Sequence, residues 1–374
     1  MVSSIHKFLH PVDESLLHSI PNSIGSKIKF YFNEKINENS LVIVGCPYLK
    51  GASQNIEFSN LRVVREEFYK LIWNGWEFDI YDLGNIVIEN NEISQEDALK
   101  QVIEELLEKK LIPIILGGSM SFNYSVYRAL ERLKKPLNYT AVDSHIHAKI
   151  NIENETTEEN YLSKIIMEEP NLLFNFSNLG YQTYLVSPTT LKTLLNTLDF
   201  EAIRLGSLIN HIEDSEPVFR SSDFVGVNLN SIESLTGSLS TESSVNGFTN
   251  REICSLAKYI GLSKQIKVVG LYNFLGYSNN KIDAKLVSQI LWYIIEGKNN
   301  QQFYENTDYI KYTVVYEDKE LIFLKDKKID KWWLSIDFIT EDENFLIPCT
   351  SRDYQDALMG KIPDKYWKTI KKFL

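Results

Sequence analysis

From about residue 40 to residue 298, short apolar runs alternate with amphipathic stretches, and this alternation constrains the fold more than any other feature. The runs have the length of buried strands, whereas the stretches carry apolar residues at helical spacings of three and four. This pattern is typical of a parallel sheet with helices on both faces. The sequence therefore predicts a three-layer α/β/α domain with a mainly parallel sheet.

The predicted elements of this domain can be placed along the chain. The strands are expected at 41–46, 77–81, 112–116, 137–142, 224–229 and 266–272. The helices are expected at 61–73, 95–109, 123–133 and 284–296. Ser94 followed by two acids predicts an N-cap. The segment 153–216 is less regular but keeps the alternation.

The character of the sequence changes after residue 302. Strands at 309–316, 320–324 and 332–338, a turn at 325–328 and two short helices predict a small β-rich C-terminal appendage. We therefore divide the chain into an N-terminal segment that packs on the core (1–39), the α/β/α domain (40–298) and the appendage (303–374). The many aromatic residues of the appendage favour packing onto the domain, with a partner-binding face as the alternative.

Composition excludes some classes of function. The net charge of −11 argues against sequence-independent binding to nucleic acid, which needs a basic surface. No stretch has the roughly 18 uncharged apolar residues of a membrane helix, and the N-terminus lacks the pattern of a signal peptide. Cys46, Cys254 and Cys349 follow no metal-binding spacing. We therefore expect reduced thiols in a cytoplasmic protein without membrane insertion.

A candidate metal site follows the strand predicted at 137–142. Asp143, His145 and His147 alternate along the chain, so an extended strand would present one carboxylate and two imidazoles on one side. Neighbouring ligands on such a strand would lie ~6.6 Å apart, which argues against all three binding one ion.

Paired glycines in Gly117-Gly118-Ser119-Met120-Ser121 join a predicted strand to a helix. The segment is close to the nucleophile elbow of serine hydrolases, with Ser119 as nucleophile. That fold needs a histidine late in the chain, and the last one here is His211. We therefore disfavour a serine hydrolase.

Three motifs together point to a family. In order, Gly117 to Ser121, Asp143 to His147 and Gly226 to Glu233 resemble the three metal motifs of the arginase (ureohydrolase) family. Those motifs read Gly-Gly-Asp-His-Ser, Asp-Ala-His-x-Asp and Ser-x-Asp-x-Asp-x-x-Asp-Pro. The resemblance spans about residues 40 to 298 and implies the arginase-like fold with a two-manganese site built from six ligands.

The metal motifs of this chain are incomplete when compared with that resemblance. Asp143 and His145 match, and His147 stands for an aspartate. Met120 replaces a histidine. Asn228 and Asn230 replace two aspartates, and Glu233 occupies the position of the following acid. The glutamate that faces the guanidinium of the family's substrates falls on Asn273. Of the six ligand positions, one keeps a carboxylate, Asp143, whereas two manganese ions bring up to four positive charges. This shortage of negative charge disfavours a dimanganese centre.

The sequence therefore predicts a non-catalytic arginase-like protein that acts as a scaffold, a sensor or a subunit of a complex, without a cofactor. The alternative is a metal-dependent hydrolase of C–N bonds in guanidino or formimino compounds. It would use a single divalent ion, manganese, zinc or iron, held by Asp143, His145 and His147. A small ligand in the emptied cavity is a third hypothesis. We also expect a protein partner or a homo-oligomer.

Other histidines and acids are assigned no role. His6, His10 and His18 are expected at the surface or in docking contacts, and His211 in a helix beside acids. The acidic stretch 153–159 is expected to be a solvated loop that leads into a helix.

Overall fold

A computed structural model describes most of the chain. The described residues are 4–16, 20–30, 36–49, 59–87, 93–149, 155–234, 238–277, 281–301, 308–317, 319–336 and 345–373. His18, Glu153 and the end of the strand predicted at 332–338 lie outside these ranges.

A nine-stranded sheet forms the centre of the fold. Its strands are β1 (Leu9–His10), β2 (Leu41–Gly45), β3 (Ile80–Ile86), β4 (Ile112–Leu116), β5 (Leu137–Val142), β6 (Leu173–Tyr181), β7 (Glu201–Arg204), β8 (Phe224–Asn228) and β9 (Val268–Tyr272). Their order across the sheet is β1-β3-β2-β4-β9-β8-β5-β6-β7. The short β1 pairs antiparallel with β3, and all other neighbours are parallel.

Helices cover both faces of this sheet. They are α1 (Leu61–Phe68), α2 (Gln95–Glu108), α3 (Phe122–Leu130), α4 (Tyr161–Met167), α5 (Pro188–Lys192), α6 (Leu205–Leu208), α7 (Ser215–Ser221), α8 (Asn250–Leu262) and α9 (Ile282–Asn299). Alternate residues of β2 enter opposite cores: Ile43 packs with α1, α8 and α9, whereas Val44 packs with α2, α3 and α4. This alternation confirms the predicted three-layer arrangement.

Local polar contacts explain where the predicted bounds were wrong. The second strand runs from Ile80 to Ile86 rather than over 77–81. It contains Asp82, whose carboxylate accepts hydrogen bonds from Arg65 at 2.8 and 3.0 Å inside the protein. A buried ion pair interrupts the apolar pattern that marks a strand in the sequence, so the strand was placed too early.

An antiparallel sheet of four strands follows the domain. Its strands are β10 (Tyr309–Tyr316), β11 (Lys319–Asp326), β12 (Trp332–Ile336) and β13 (Phe345–Cys349), and two helices follow, α10 (Ser351–Leu358) and α11 (Asp364–Phe373). We call β10 to α11 the C-terminal unit. It has its own apolar core. The strand β13 was not predicted, and β11 runs two residues into the predicted turn.

Two smaller features complete the description. His211 lies within the 3-10 helix Ile209–Asp214, although its own backbone angles are non-helical (φ −149°), and its ring is 3.5 Å from the Glu213 carboxylate. None of the helices within the described residues combines the length and the apolar character needed to cross a membrane.

Candidate functional site

The candidate site forms where four central strands end side by side. β4, β9, β8 and β5 are consecutive neighbours in the sheet. Their carboxyl ends carry, in that order, Met120, Asn273, Asn228 and Asp143. Because parallel strands end at the same edge of a sheet, residues far apart in the sequence meet here.

The turn after β4 requires its two glycines. Gly117 and Gly118 have φ angles of +84° and +79°, in the region that favours glycine. A Cβ on Gly118 would lie 2.5 Å from the ring of Phe122. The turn places Met120 in the apolar core on the α2–α4 face, where it is wholly buried. Its sulfur lies 3.6 Å from the Asn123 amide nitrogen.

The chain leaves the extended conformation directly after β5. The Asp143 Oδ1 atom accepts a hydrogen bond from the His145 backbone N–H at 2.9 Å, which closes a tight turn. One ligand atom from each of Asp143, His145 and His147 then falls within 4.8 Å of the other two. The expectation that the three would stay apart was wrong, because it assumed a continuing strand.

The second oxygen of Asp143 accepts hydrogen bonds from two side chains. The Nδ2 group of Asn228 donates to Asp143 Oδ2 at 2.9 Å, and His147 Nε2 lies 3.1 Å from the same oxygen. The orientation of the Asn228 amide follows from its other end, because Oδ1 accepts from the Asn230 backbone N–H at 2.9 Å. The nitrogen of Asn228 must therefore face Asp143.

Glu158 is a site residue that sequence reasoning missed. It belongs to the acidic stretch expected to be a solvated loop, and Glu155 and Glu159 are indeed exposed, but Glu158 is 7% exposed. Its carboxylate accepts a hydrogen bond from Asn273 Nδ2 at 2.6 Å and lies 4.0 Å from His147 Nε2. The site therefore contains a second carboxylate in addition to Asp143.

The amides join these groups into one network, which we call the Asp143 network. It consists of Asp143, His147, Glu158, Asn228 and Asn273. Asn273 Nδ2 also donates to Asn228 Oδ1 at 2.9 Å. Asn273 has a positive φ of 68° and is wholly buried, and its Oδ1 has no hydrogen-bond partner among the described residues.

Charges in the Asp143 network shift one another's pKa values. Burial opposes protonation of His147, but the Asp143 carboxylate outweighs burial and raises the pKa of the imidazole to about 9. Burial likewise opposes ionisation of Asp143, yet the charge and hydrogen bond of His147 hold its pKa below the usual range. Burial raises the pKa of Glu158 to about 7, against the influence of His147. At neutral pH the network therefore contains an ion pair between the buried Asp143 and the partly buried His147.

The remaining predicted positions lie outside this network. Asn230 Oδ1 accepts from the Thr241 hydroxyl at 3.2 Å and from the Glu242 backbone N–H at 3.0 Å. The Glu233 side chain is exposed. The hydroxyl of Ser119, the nucleophile of the disfavoured hydrolase hypothesis, is buried and accepts from the Ser121 backbone N–H at 3.2 Å.

The donor set does not fit a pair of divalent cations. Asn228 turns an N–H group toward Asp143, and His147 shares the same carboxylate oxygen. Glu158 brings a second carboxylate, but an amide nitrogen already donates to it. Two buried carboxylates and neutral amides supply too little negative charge for four positive charges. One ion is a different case, since Asp143, His145 and His147 form a suitable ligand set in their spacing and chemistry.

Comparison with known proteins supports the resemblance seen in the motifs. The model of the arginase family matches residues 40–185. No curated protein matches the chain.

Several solved structures share the fold at low identity. Formimidoylglutamase from Bacillus subtilis superimposes with a TM-score of 0.64 at 16% identity, over 75% of this chain and 93% of the other. Formiminoglutamase from Trypanosoma cruzi with Mn²⁺ gives 0.62 at 13%, over 73% and 98%. Proclavaminate amidino hydrolase from Streptomyces clavuligerus gives 0.61 at 15%, over 77% and 99%. The family match over residues 40–185 and the shared α/β/α fold show that the chain has an arginase-like fold, in agreement with the resemblance of its motifs.

Proposed function

We propose that this arginase-like protein works without a dimanganese centre and without catalysis, as a scaffold, a ligand sensor or a subunit of a larger assembly. The observation that carries the proposal is the environment of Asp143 Oδ2. Asn228 Nδ2 and His147 Nε2 lie 2.9 and 3.1 Å from that oxygen, in positions from which both donate hydrogen bonds to the carboxylate. In this proposal the protonated imidazole supplies positive charge, and two amides supply hydrogen bonds, where the family has its metal pair.

Metal content and activity measured on one preparation test this proposal. The protein is purified without chelator, incubated with Mn²⁺, desalted and analysed by mass spectrometry of its metals. We expect less than one tightly bound ion per chain and no release of urea or ammonia from guanidino and formimino compounds. Two tightly bound ions per chain would refute the proposal.

The kind of non-catalytic role needs a second measurement. A thermal-shift screen with amino acids and polyamines tests for a ligand that binds at the Asp143 network, because a ligand that binds the native state raises the melting temperature. Light scattering tests for self-association. A ligand that stabilises the wild type but not Asn273→Ala favours a sensor, whereas a stable oligomer without such a ligand favours a scaffold or a subunit.

One observation favours a second candidate, hydrolysis of a C–N bond with a single metal ion. The ligand atoms of Asp143, His145 and His147 lie within 4.8 Å of one another. A divalent ion held there would supply Lewis acidity toward a guanidino or formimino substrate. This candidate predicts release of urea or ammonia with Mn²⁺, Zn²⁺ or Fe²⁺ that is lost in His145→Ala. Absence of release with all three ions would exclude it.

A further inference from the structure

A second region of interest lies at the opposite edge of the central sheet. Three cavities of about 480, 370 and 810 Å³ lie between the α/β/α domain and the C-terminal unit. The first of these, which we call the seam cavity, borders the amino ends of β5, β6 and β7 and the inner face of α11. The Asp143 network lies at the carboxyl ends of the strands, so the two sites are separate.

Three lysines of α11 line the seam cavity. Lys365, Lys368 and Lys372 are spaced by three and four residues and therefore share one face of the helix. Lys365 pairs with Asp353 at 3.0 Å. The Lys368 ammonium instead donates to the Phe200 carbonyl at 2.7 Å.

Lys372 has a similar environment without a paired acid. Its ammonium donates to Asn175 Oδ1 at 2.7 Å and to the Phe174 carbonyl at 3.0 Å, and it lies 5.0 Å from the centre of the Phe200 ring. Within the described part of the chain, neither Lys368 nor Lys372 has a carboxylate within the 4.0 Å of an ion pair. Each ammonium has three N–H groups, so donors remain available to a ligand, two on Lys368 and one on Lys372.

Arg220 adds a third incompletely paired cation. Its Nη2 group donates to the carbonyls of Trp332 and Cys349 at 3.1 and 3.2 Å. Its Nε and Nη1 atoms are buried and have no hydrogen-bond partner among the described residues. Glu216 Oε1 is 3.4 Å from Nε, but it lies closer, 2.8 Å, to Lys331. One carboxylate is thus shared between two cations.

The acids of the seam cavity form their close contacts with other groups or lie exposed. Asp199 binds the exposed Lys371 at 3.1 Å. Glu201 accepts from the Ser177 hydroxyl at 3.2 Å, and its charge acts on Lys365. Asp364 is exposed in the first turn of α11. Asp199 and Glu201 also act on Lys372, but burial outweighs them and lowers the pKa of that lysine to about 8. Positive charge at Lys368, Lys372 and Arg220 is therefore undercompensated.

We propose that the seam cavity binds a small oxyanion, the phosphate or carboxylate group of a metabolite, through Lys368, Lys372 and Arg220. Its volume of about 480 Å³ is that of a small-molecule site, and such sites often lie between structural units. A planar guanidinium and two ammonium groups are the donors that recognise carboxylates and phosphates. The ligand would contact both α7 of the α/β/α domain and α11 of the C-terminal unit.

Binding of inorganic phosphate and of succinate, measured by calorimetry at pH 7 and constant ionic strength, tests the proposal. We expect one saturable site per chain for at least one of the two probes, and the preferred probe identifies the ligand group. Lys368→Gln and Lys372→Gln should each weaken binding by about tenfold or more, because each removes a charge-assisted hydrogen bond. Lys371→Gln is the matched control, since it removes the same charge from an exposed, paired neighbour and should change affinity less than twofold.

Folding of the variants is checked by circular dichroism and melting temperature. If Lys372→Gln loosens α11, then Lys372→Arg, which keeps the charge, should restore folding and most of the affinity. Absence of saturable binding to the wild type would overturn the proposal. Equal weakening in all three glutamine variants would overturn it too, because it would indicate a diffuse charge effect. So would unchanged affinity in a folded Lys368→Gln.

Discussion

The substitution Asn228→Asp tests the charge balance of the Asp143 network most directly. The amide nitrogen of Asn228 donates to Asp143 Oδ2 at 2.9 Å, while its oxygen accepts from the Asn230 backbone N–H at 2.9 Å. The new carboxylate fits the same space and keeps the second hydrogen bond. It replaces the donor with a negatively charged oxygen opposite Asp143, and this change recreates one acid of the family's metal motif.

The expected loss of stability in Asn228→Asp follows from the 2.9 Å between the side-chain atom of residue 228 and Asp143 Oδ2. Two unit charges 2.9 Å apart repel by roughly 6 kcal/mol at an effective dielectric constant of about 20. Protonation of the new carboxyl limits the cost, because a carboxylic acid donates to Asp143 as the amide did. Holding an aspartate protonated at pH 7, about three units above its usual pKa, costs about 4 kcal/mol. We therefore expect a loss of about 4 kcal/mol in the free energy of unfolding at pH 7.

The pH dependence of the free energy of unfolding provides a second test of Asn228→Asp. The new carboxyl has a raised pKa in the folded state, so the variant loses stability relative to the wild type as pH rises above about 4. The difference should grow by about 1.4 kcal/mol per pH unit until the folded-state pKa is reached. Mn²⁺ should reduce this difference in stability between the variant and the wild type, because a cation between two carboxylates stabilises the native state.

Urea unfolding between pH 4.5 and 8, with and without Mn²⁺, measures these effects. Asn230→Asp is the matched control, because the oxygen of Asn230 accepts from the Thr241 hydroxyl and the Glu242 backbone N–H. A carboxylate there keeps both donors, so we expect a smaller loss. Wild-type stability of Asn228→Asp at pH 7 would refute the charge argument, as would a loss independent of pH.

Three further predictions concern buried charges. Arg65→Met should cost about 3–5 kcal/mol in urea unfolding by leaving Asp82 buried and unpaired, whereas Arg62→Met, in an exposed pair on the same helix, should cause a much smaller loss. Glu158→Gln should gain stability relative to the wild type as pH rises from about 4.5 to 7, by up to about 3 kcal/mol, because the pKa of Glu158 is raised to about 7; a pH-independent difference would contradict that shift. His147→Leu should lower the free energy of unfolding by about 3–5 kcal/mol at pH 7, because it leaves Asp143 without its partner. The loss should exceed that of His145→Leu, and equal losses in the two variants would contradict the ion pair.

The central strands were predictable because each is apolar on both sides and therefore short and unbroken in the sequence. β4 and β5 have the predicted bounds, and the family motifs stand directly after them. The three-layer fold could thus be inferred from periodicity alone. The second strand was misplaced because Asp82 satisfies its charge through Arg65, a partner 17 residues earlier that no periodicity reveals.

The composition of the site was less predictable than its location. The motifs point to Asp143, Asn228 and Asn273, and the strand order brings these three side chains into contact. Glu158 was missed because it follows a loop whose path depends on tertiary contacts, and its acidic neighbours are exposed. The motif losses themselves carried a signal. Buried amide donors at Asn228 and Asn273 need an acceptor, and an acid in the loop after β5 can supply one.

The two candidate functions correspond to mutually exclusive uses of the same atoms. An ion bound to Asp143 and His147 must take the place of the His147 proton and of the Asn228 hydrogen bond at Asp143 Oδ2. Because the pKa of His147 is raised to about 9, removing that proton at pH 7 costs about 3 kcal/mol, equivalent to about a hundredfold in ion affinity. The Asn228 amide adds to this cost, since its orientation is fixed by the Asn230 backbone N–H. The protonated network therefore competes with a metal ion most strongly at and below neutral pH.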